Sequence, residues 1–133
     1  FGDPETQVVI PLLGDQLMEL LVHTASGCIA DTSLTLLNGA AVSVVIASEG
    51  YPKSYQKGQD ISISKNFSKD ITLHYAGVSS SKDGIVTSGG RVFSVTAFSD
   101  SLSLARDSAY QNVKNIQFEG AWYRSDIGWQ IGG

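Results

Sequence analysis

The sequence predicts an α+β protein, with two short helices at the N-terminus followed by a small, mostly β domain that carries one further helix. Three stretches carry that prediction. Residues 4–26 hold apolar side chains at helical spacing. Ala41 to Ser48, AVSVVIAS, is β-branched and nearly all apolar. Thr87 to Phe98, TSGGRVFSVTAF, alternates after its glycine pair as a strand does.

The last stretch is expected to be the central strand. Its alternation puts Arg91, Phe93, Val95 and Ala97 on one face and Val92, Ser94, Thr96 and Phe98 on the other. Gly89-Gly90 permits a bend, a positive φ or a close backbone approach, and sets Arg91 at the mouth of the strand. A plain hairpin turn with a solvated arginine reads from the same residues.

The elements before it follow in order. Asp3 before Pro4 is a helix-start pattern, because a carboxylate oxygen accepts orphan N–H groups and proline has no donor to leave unpaired. A helix is expected from Pro4 until Pro11 breaks it. A second, capped by Asp15, carries Leu17, Leu20, Leu21 and Thr24 at helical spacing until Gly27. The apolar density of residues 4–26 exceeds what a small helical hairpin needs, so part of this surface is expected to pack on the missing N-terminal portion of the same polypeptide. Ala41 to Ser48 suits a strand buried on both faces and ends at Glu49-Gly50-Tyr51-Pro52. Short strands are expected at Ile61 to Ser64 and Ile71 to Tyr75, with a serine-rich turn over Val78 to Asp83.

After the central strand, Ser99 or Asp100 is expected to cap a helix with Leu102, Ala105, Ala109 and Val113 in one stripe. Ile116 to Phe118 reads as the final strand, and the tail from Glu119 to Gly128 should fold back.

Composition limits the partners. The chain has 133 residues, 42% of them hydrophobic, enough for one sizeable core. Nine Lys and Arg against thirteen acids give a net charge of -4, which supplies no basic patch for nucleic acid or an anionic membrane. Small anions at single basic residues remain open. Cys28 has no partner for an internal disulfide, and no uninterrupted apolar run approaches the roughly 18 residues of a span. A reducing, cytoplasmic setting is expected. His23 and His74 have no ligand spacing with Cys28, so no metal site is expected, and there is no nucleophile elbow, P-loop or dinucleotide fingerprint.

Larger blocks carry a resemblance. Phe1-Gly2-Asp3-Pro4-Glu5-Thr6-Gln7, Val45 to Pro52, His74-Tyr75-Ala76-Gly77, Asp83 to Val92, and Phe118 to Gly128 occur in an order and spacing that resemble the C-terminal third of glycinamide ribonucleotide synthetases. The family is also called phosphoribosylamine-glycine ligase. The resemblance implies that residues 1–38 are the C-terminal end of an ATP-grasp domain and residues 39–133 a β-rich domain like a rudimentary hybrid barrel. It implies a ligase of de novo purine synthesis that uses ATP and Mg to activate glycine as an acyl phosphate, which the amine of phosphoribosylamine attacks.

In that family the metal-binding glutamate and asparagine lie just upstream of the position of Phe1. The resemblance therefore implies no metal ligands in this chain, no cofactor bound by the fragment alone, and a fragment inactive by itself. It implies that Gly2 and Asp3 lie beside the transferring phosphate, with Asp3 either capping the helix or acting catalytically. Gly2 and Arg91 would be substrate-binding, Arg91 reaching a phosphate or carboxylate. Glu49 departs from the family's pattern, which leaves its turn without an assigned substrate role. The opening on Phe1 reads as a piece of a longer polypeptide.

The alternative is a non-catalytic, β-rich binding or interaction module. A carrier version of it needs a modifiable lysine at a hairpin tip, for which Lys82 before Asp83-Gly84 is the candidate.

Overall fold

The computed structural model describes residues 1–129, and its first regular element begins later than Pro4. Helix α1 spans Thr6–Leu13, and no side chain caps it. Asp3 is not the cap. The Gly2 carbonyl instead accepts from the Thr6 backbone N–H at 3.0 Å and from the Thr6 hydroxyl at 2.6 Å. Glu5 Oε2 accepts the Gly2 N–H at 2.7 Å. The orphan donors at this end are met by a local turn, so the Asp3 carboxylate is left for another partner.

Pro11 does not break the helix, because the break is displaced three residues on. Gly14 takes φ +54°, a value suited to glycine, and opens a 3₁₀ turn over Gly14–Gln16. Asp15 lies inside that turn and does not cap α2, Leu17–Ala25. Gly27, at φ +75°, ends α2 as expected: Cys28 N–H reaches His23 C=O at 2.9 Å and Gly27 N–H reaches Thr24 C=O at 3.2 Å. The two helices are thus joined into one segment, Thr6–Ala25. By length and a mean hydropathy of 1.3 it meets the composition of a membrane span, although the apolar run itself is interrupted. Leu13 is the one buried side chain of α1, and α2 has none.

The chain then runs back along these helices. The Gln16 side chain amide donates to the Thr35 carbonyl and accepts the Thr35 N–H at 3.0 Å, and the Leu37 N–H reaches Leu12 C=O at 2.9 Å.

Among the described residues eight strands follow: β1 Ala40–Ser48, β2 Ser62–Ile63, β3 Ile71–Tyr75, β4 Val78–Ser80, β5 Ile85–Thr87, β6 Arg91–Ser99, β7 Ile116–Gln117 and β8 Ala121–Trp122. Helix α3, Leu102–Val113, lies between β6 and β7. The main sheet has the order β3-β6-β1-β8, and all its pairs are antiparallel. The expected central strand is central, although Thr87 belongs to β5 and the glycine pair separates it from β6. Val78–Ser80 is a strand and not only a turn, since it pairs with Ile85–Thr87 to make a hairpin. β8 is a further strand, made by the tail folding back onto Ala47 and Ser48.

One face of the sheet forms the core. Val42, Val44 and Ile46 stand opposite Ala97, Val95 and Phe93, and α3 lays Ala105, Ala109 and Val113 upon them. The small alanines let the helix approach closely, and Phe93 is 1% exposed. Ser101 caps α3 through its Oγ, which accepts the Leu104 N–H at 3.3 Å; neither Ser99 nor Asp100 does so, because Ser101 alone sits in extended backbone one residue before the helix. Asn112, buried in the same helix, accepts the Ser68 N–H at 3.0 Å and donates to Ser68 Oγ at 3.1 Å, which fastens the β2–β3 connection. The other face of the sheet carries Ser43, Val45, Ser94 and Thr96, and α1 crosses it.

Candidate functional site

Arg91 lies on the face under α1, not on the face its alternation predicts. The register runs Ile46↔Phe93 and then Ala47↔Arg91, so Val92 is an extra residue and β6 bulges. Beyond a bulge the parity of the side chains reverses. Arg91 therefore shares a face with Ala47 and Val45, while Phe93 points into the core.

The glycines frame this turn by steric exclusion. A Cβ on Gly77 would sit 2.6 Å from both the Arg91 carbonyl oxygen and the Gly89 Cα, and a Cβ on Gly90 would sit 2.2 Å from the Tyr51 ring. The Gly77 N–H donates to Arg91 C=O at 2.8 Å, while Ser88 and Gly89 N–H groups donate to Gly77 C=O at 2.7 and 3.1 Å. The Ser48 N–H donates to Gly90 C=O at 2.8 Å. Of the options open for Gly89-Gly90, the close backbone approach is the one realised.

The structure brings Arg91 and Asp3 together. Arg91 Nη2 lies 2.5 Å from Asp3 Oδ2, with the two side chains 36% and 63% exposed. Gly2 is adjacent in sequence, but its N–H is already given to the Glu5 carboxylate and is not open to a ligand. Two cavities adjoin the pair. The smaller, about 40 Å³, lies between Pro4, Gln7, Val45 and Ser94, and Gln7 Oε1 is buried there without a partner among the described residues. The larger, about 240 Å³, is walled by Pro4, Val45, Tyr51, Trp122, Arg91 and Arg124.

Arg124 differs from Arg91 in its bonding. It binds Asp126 with two donors of one guanidinium edge, Nε to Oδ1 at 2.8 Å and Nη2 to Oδ2 at 2.6 Å. The hydrogen bond from Arg124 holds the Asp126 carboxyl below its ordinary range, and the same bond raises the guanidinium. The tail here is also tied to α3, since Tyr110 OH donates to Arg124 C=O at 2.7 Å and accepts the Ile127 N–H at 3.0 Å.

A separate cavity of about 480 Å³ lies between Ser48, Glu49, Gly50, Tyr55, Glu119 and Gly120. Its two carboxylates, Glu49 and Glu119, oppose an anionic ligand. Among the described residues no group of three or more His, Cys, Asp or Glu could hold a metal ion. His23 is engaged with Thr32 Oγ1, and Cys28 is exposed. Lys82 lies in the exposed turn of the β4–β5 hairpin. Sequence reasoning did not connect Tyr51, Trp122 and Arg124 to Arg91. The available signal was Gly90, a glycine in strand context, which marks a close neighbour without naming it.

The comparisons with known proteins give first the class. Residues 41–130 match the family described as phosphoribosylglycinamide synthetase, C domain, and the chain belongs to that family. At closer range it is similar to whole ligases. It is 44% identical over 129 residues to the phosphoribosylamine–glycine ligase of Chlorobaculum tepidum, covering 96% of this chain and 30% of that one. It is 42% identical over 127 residues to the ligase of Caldanaerobacter subterraneus, with the same two coverages. A bifunctional purine biosynthetic protein of Dictyostelium discoideum is 42% identical over 130 residues, 16% of its length. The crystal structure of the Thermotoga maritima phosphoribosylamine–glycine ligase matches with a TM-score of 0.84 and 31% identity, over 96% of this chain and 31% of that one. The chain thus spans about 30% of the length of the curated single-function relatives it matches.

Proposed function

We propose that this chain is the C-terminal part of a cytoplasmic phosphoribosylamine–glycine ligase, the enzyme that joins glycine to 5-phosphoribosylamine with ATP and forms glycinamide ribonucleotide, ADP and phosphate. The observation that supports this reading best is the match to such ligases over 96% of the chain. In this reading the β domain forms a wall of the active-site cleft, and Arg91, at its mouth, offers guanidinium donors to a substrate phosphate or carboxylate. A carboxylate is a poor electrophile until phosphorylated, and groups of this kind stabilise the charge carried through the transfer.

ATP and Mg belong to the whole enzyme. Within the site described here the acids are committed, Asp3 to Arg91 and Glu5 to Gly2, so these residues do not fit a magnesium site and no step is assigned to the metal in this chain. The upstream part of the polypeptide supplies the remainder of the site and covers apolar residues of the helical segment, among them Met18, Leu21 and Val22, which are 67%, 43% and 59% exposed.

The test is a chimera in which this chain replaces the corresponding part of the Chlorobaculum tepidum ligase. The chimera should form glycinamide ribonucleotide from ATP, glycine and phosphoribosylamine, and the chain alone should show no saturable heat on ATP titration. A folded chimera without product would overturn the ligase reading. Micromolar ATP binding by the chain alone would overturn the claim that the nucleotide site lies upstream. The carrier alternative is decided by intact mass, since a covalent group on Lys82 of protein from the native source would add to the calculated value.

A further inference from the structure

We propose that Asp3 is a positioning residue, whose carboxylate holds the Arg91 guanidinium in the orientation in which it meets an anionic substrate. The inference rests on the reading that Arg91 contacts substrate, and it changes the part played by Asp3 from a catalytic one to one exerted through Arg91.

The backbone around Arg91 is already fixed from two sides. Gly77 N–H holds the Arg91 carbonyl at 2.8 Å, Ala76 N–H holds Val92 C=O at 3.0 Å, and Ser48 N–H holds Gly90 C=O at 2.8 Å. The Val92 bulge sets which face the side chain leaves from. What remains is a long side chain with several free torsions, and among the described residues its one hydrogen bond is Nη2 to Asp3 Oδ2. Asp3 has no competing duty, because Gly2 and Glu5 organise the helix start. Arg124, across the same cavity, has one edge of its guanidinium, Nε and Nη2, taken in a bidentate pair by Asp126. Arg91 has given up only one N–H, and its Nε and Nη1 donors make no hydrogen bond among the described residues. An arginine oriented by one donor and open at the others is arranged to take a second oxyanion.

The sign of the effect separates this role from simple electrostatics. A carboxylate beside an anion-binding arginine repels the anion, so neutralising it should tighten substrate binding if charge alone mattered. If Asp3 positions Arg91, neutralising it should weaken binding, since the unrestrained side chain must then be ordered by the substrate.

Two measurements test this. In the active chimera, Asp3→Asn should lower kcat/KM for phosphoribosylamine or glycine roughly tenfold, chiefly through KM. Once Arg91→Ala is present, Asp3→Asn should cost no more than about threefold further. Losses that multiply independently, an unchanged kcat/KM, or an increase would each overturn the proposal. Without any assay of activity, ¹⁵N relaxation at Arg91 Nε in the chain itself should show a restrained side chain in the parent and a mobile one in Asp3→Asn. Equal mobility in the two would overturn the proposal, even if the chimera were inactive and the ligase reading had failed. If Asp3→Asn perturbs the fold, Asp3→Glu is read by the same relaxation measurement: it keeps the charge but displaces it, and should give mobility between parent and Asn, whereas parent-like or Asn-like mobility in a folded Glu variant counts against a geometric role.

Discussion

Substituting Gly77 by alanine should destabilise the domain far more than a single methyl group suggests. Gly77 has an ordinary φ, so alanine meets no intrinsic backbone strain, and the whole effect is steric. The new Cβ would lie 2.6 Å from the Arg91 carbonyl oxygen, 2.6 Å from Gly89 Cα and 2.8 Å from Gly89 N, all of them backbone atoms with no rotamer in which to retreat. Relief requires the β3 end and the Ser88-Gly89 turn to separate. That movement strains three hydrogen bonds, those of Gly77 N–H to Arg91 and of Ser88 and Gly89 N–H to Gly77. Overpacking of this kind costs about 1–3 kcal/mol, and loss of even one of the bonds adds about 1 kcal/mol, giving an expected loss of about 2–4 kcal/mol. Urea unfolding should show it as a midpoint lowered by roughly 1–2 M at an m-value of about 2 kcal/mol/M. Gly58→Ala is the control, since its Cβ would meet nothing within 4 Å and only φ +82° opposes it, at a cost of about 1 kcal/mol. A Gly77→Ala protein within about 0.5 kcal/mol of the parent would refute the steric account of the turn.

Other outcomes follow from the same geometry. Ser101→Ala should lose about 1 kcal/mol of stability while Asp100→Ala loses little, measured by thermal unfolding; the reverse order would restore Asp100 as the cap of α3. The Asp126 carboxyl titrates lower in the folded chain than in the unfolded one, so its contribution is present above the unfolded value and is lost as pH falls through the folded one. Tm measured from roughly pH 5 down to pH 2 should therefore fall less steeply in Asp126→Asn than in the parent, and parallel curves would remove the linkage. Residues 8–22 of the isolated chain should exchange their amides faster than β1 and β6, or be protected only at concentrations where the chain self-associates. Protection equal to the sheet in a demonstrated monomer would show that the helical surface is satisfied within this chain.

Much of the sheet was legible in the sequence because β1, β3 and β6 carry their own signals, alternation or β-branched runs, and the α3 stripe of Ala105, Ala109 and Val113 is periodic. β4 and β8 were not, since a serine-rich run and an Ala-Trp pair in the tail carry no strand pattern and are defined by what they pair with. The start of α1 misled for a related reason. Asp3-Pro4 carries the local pattern of a cap, but the partner that claims the carboxylate is 88 residues away. The glycine pair drew attention to Arg91, which the structure sets against Asp3 and beside the larger of the two cavities. Its face was not readable, because a one-residue bulge at Val92 leaves no mark in the composition and reverses the parity of all that precedes it. Pro11 predicted a break that Gly14 took instead, for glycine alone accommodates the required φ.

The bonds from Gln16 to Thr35 and from Leu12 to Leu37 give the connection between the helices and the sheet a short leash. While they hold, three peptide units from Leu37 to Ala40 limit the span to about 10 Å, whereas the same connection paid out from Ser26 could reach roughly 50 Å at full extension. The connection is therefore shortened by bonds made on the helices, outside the sheet, and these add to the direct packing of α1 on β1 and the Asp3–Arg91 pair. Removing the Gln16 side chain would leave the Leu12–Leu37 backbone bond as the one tie of this connection among those named, with the strand end still three residues away.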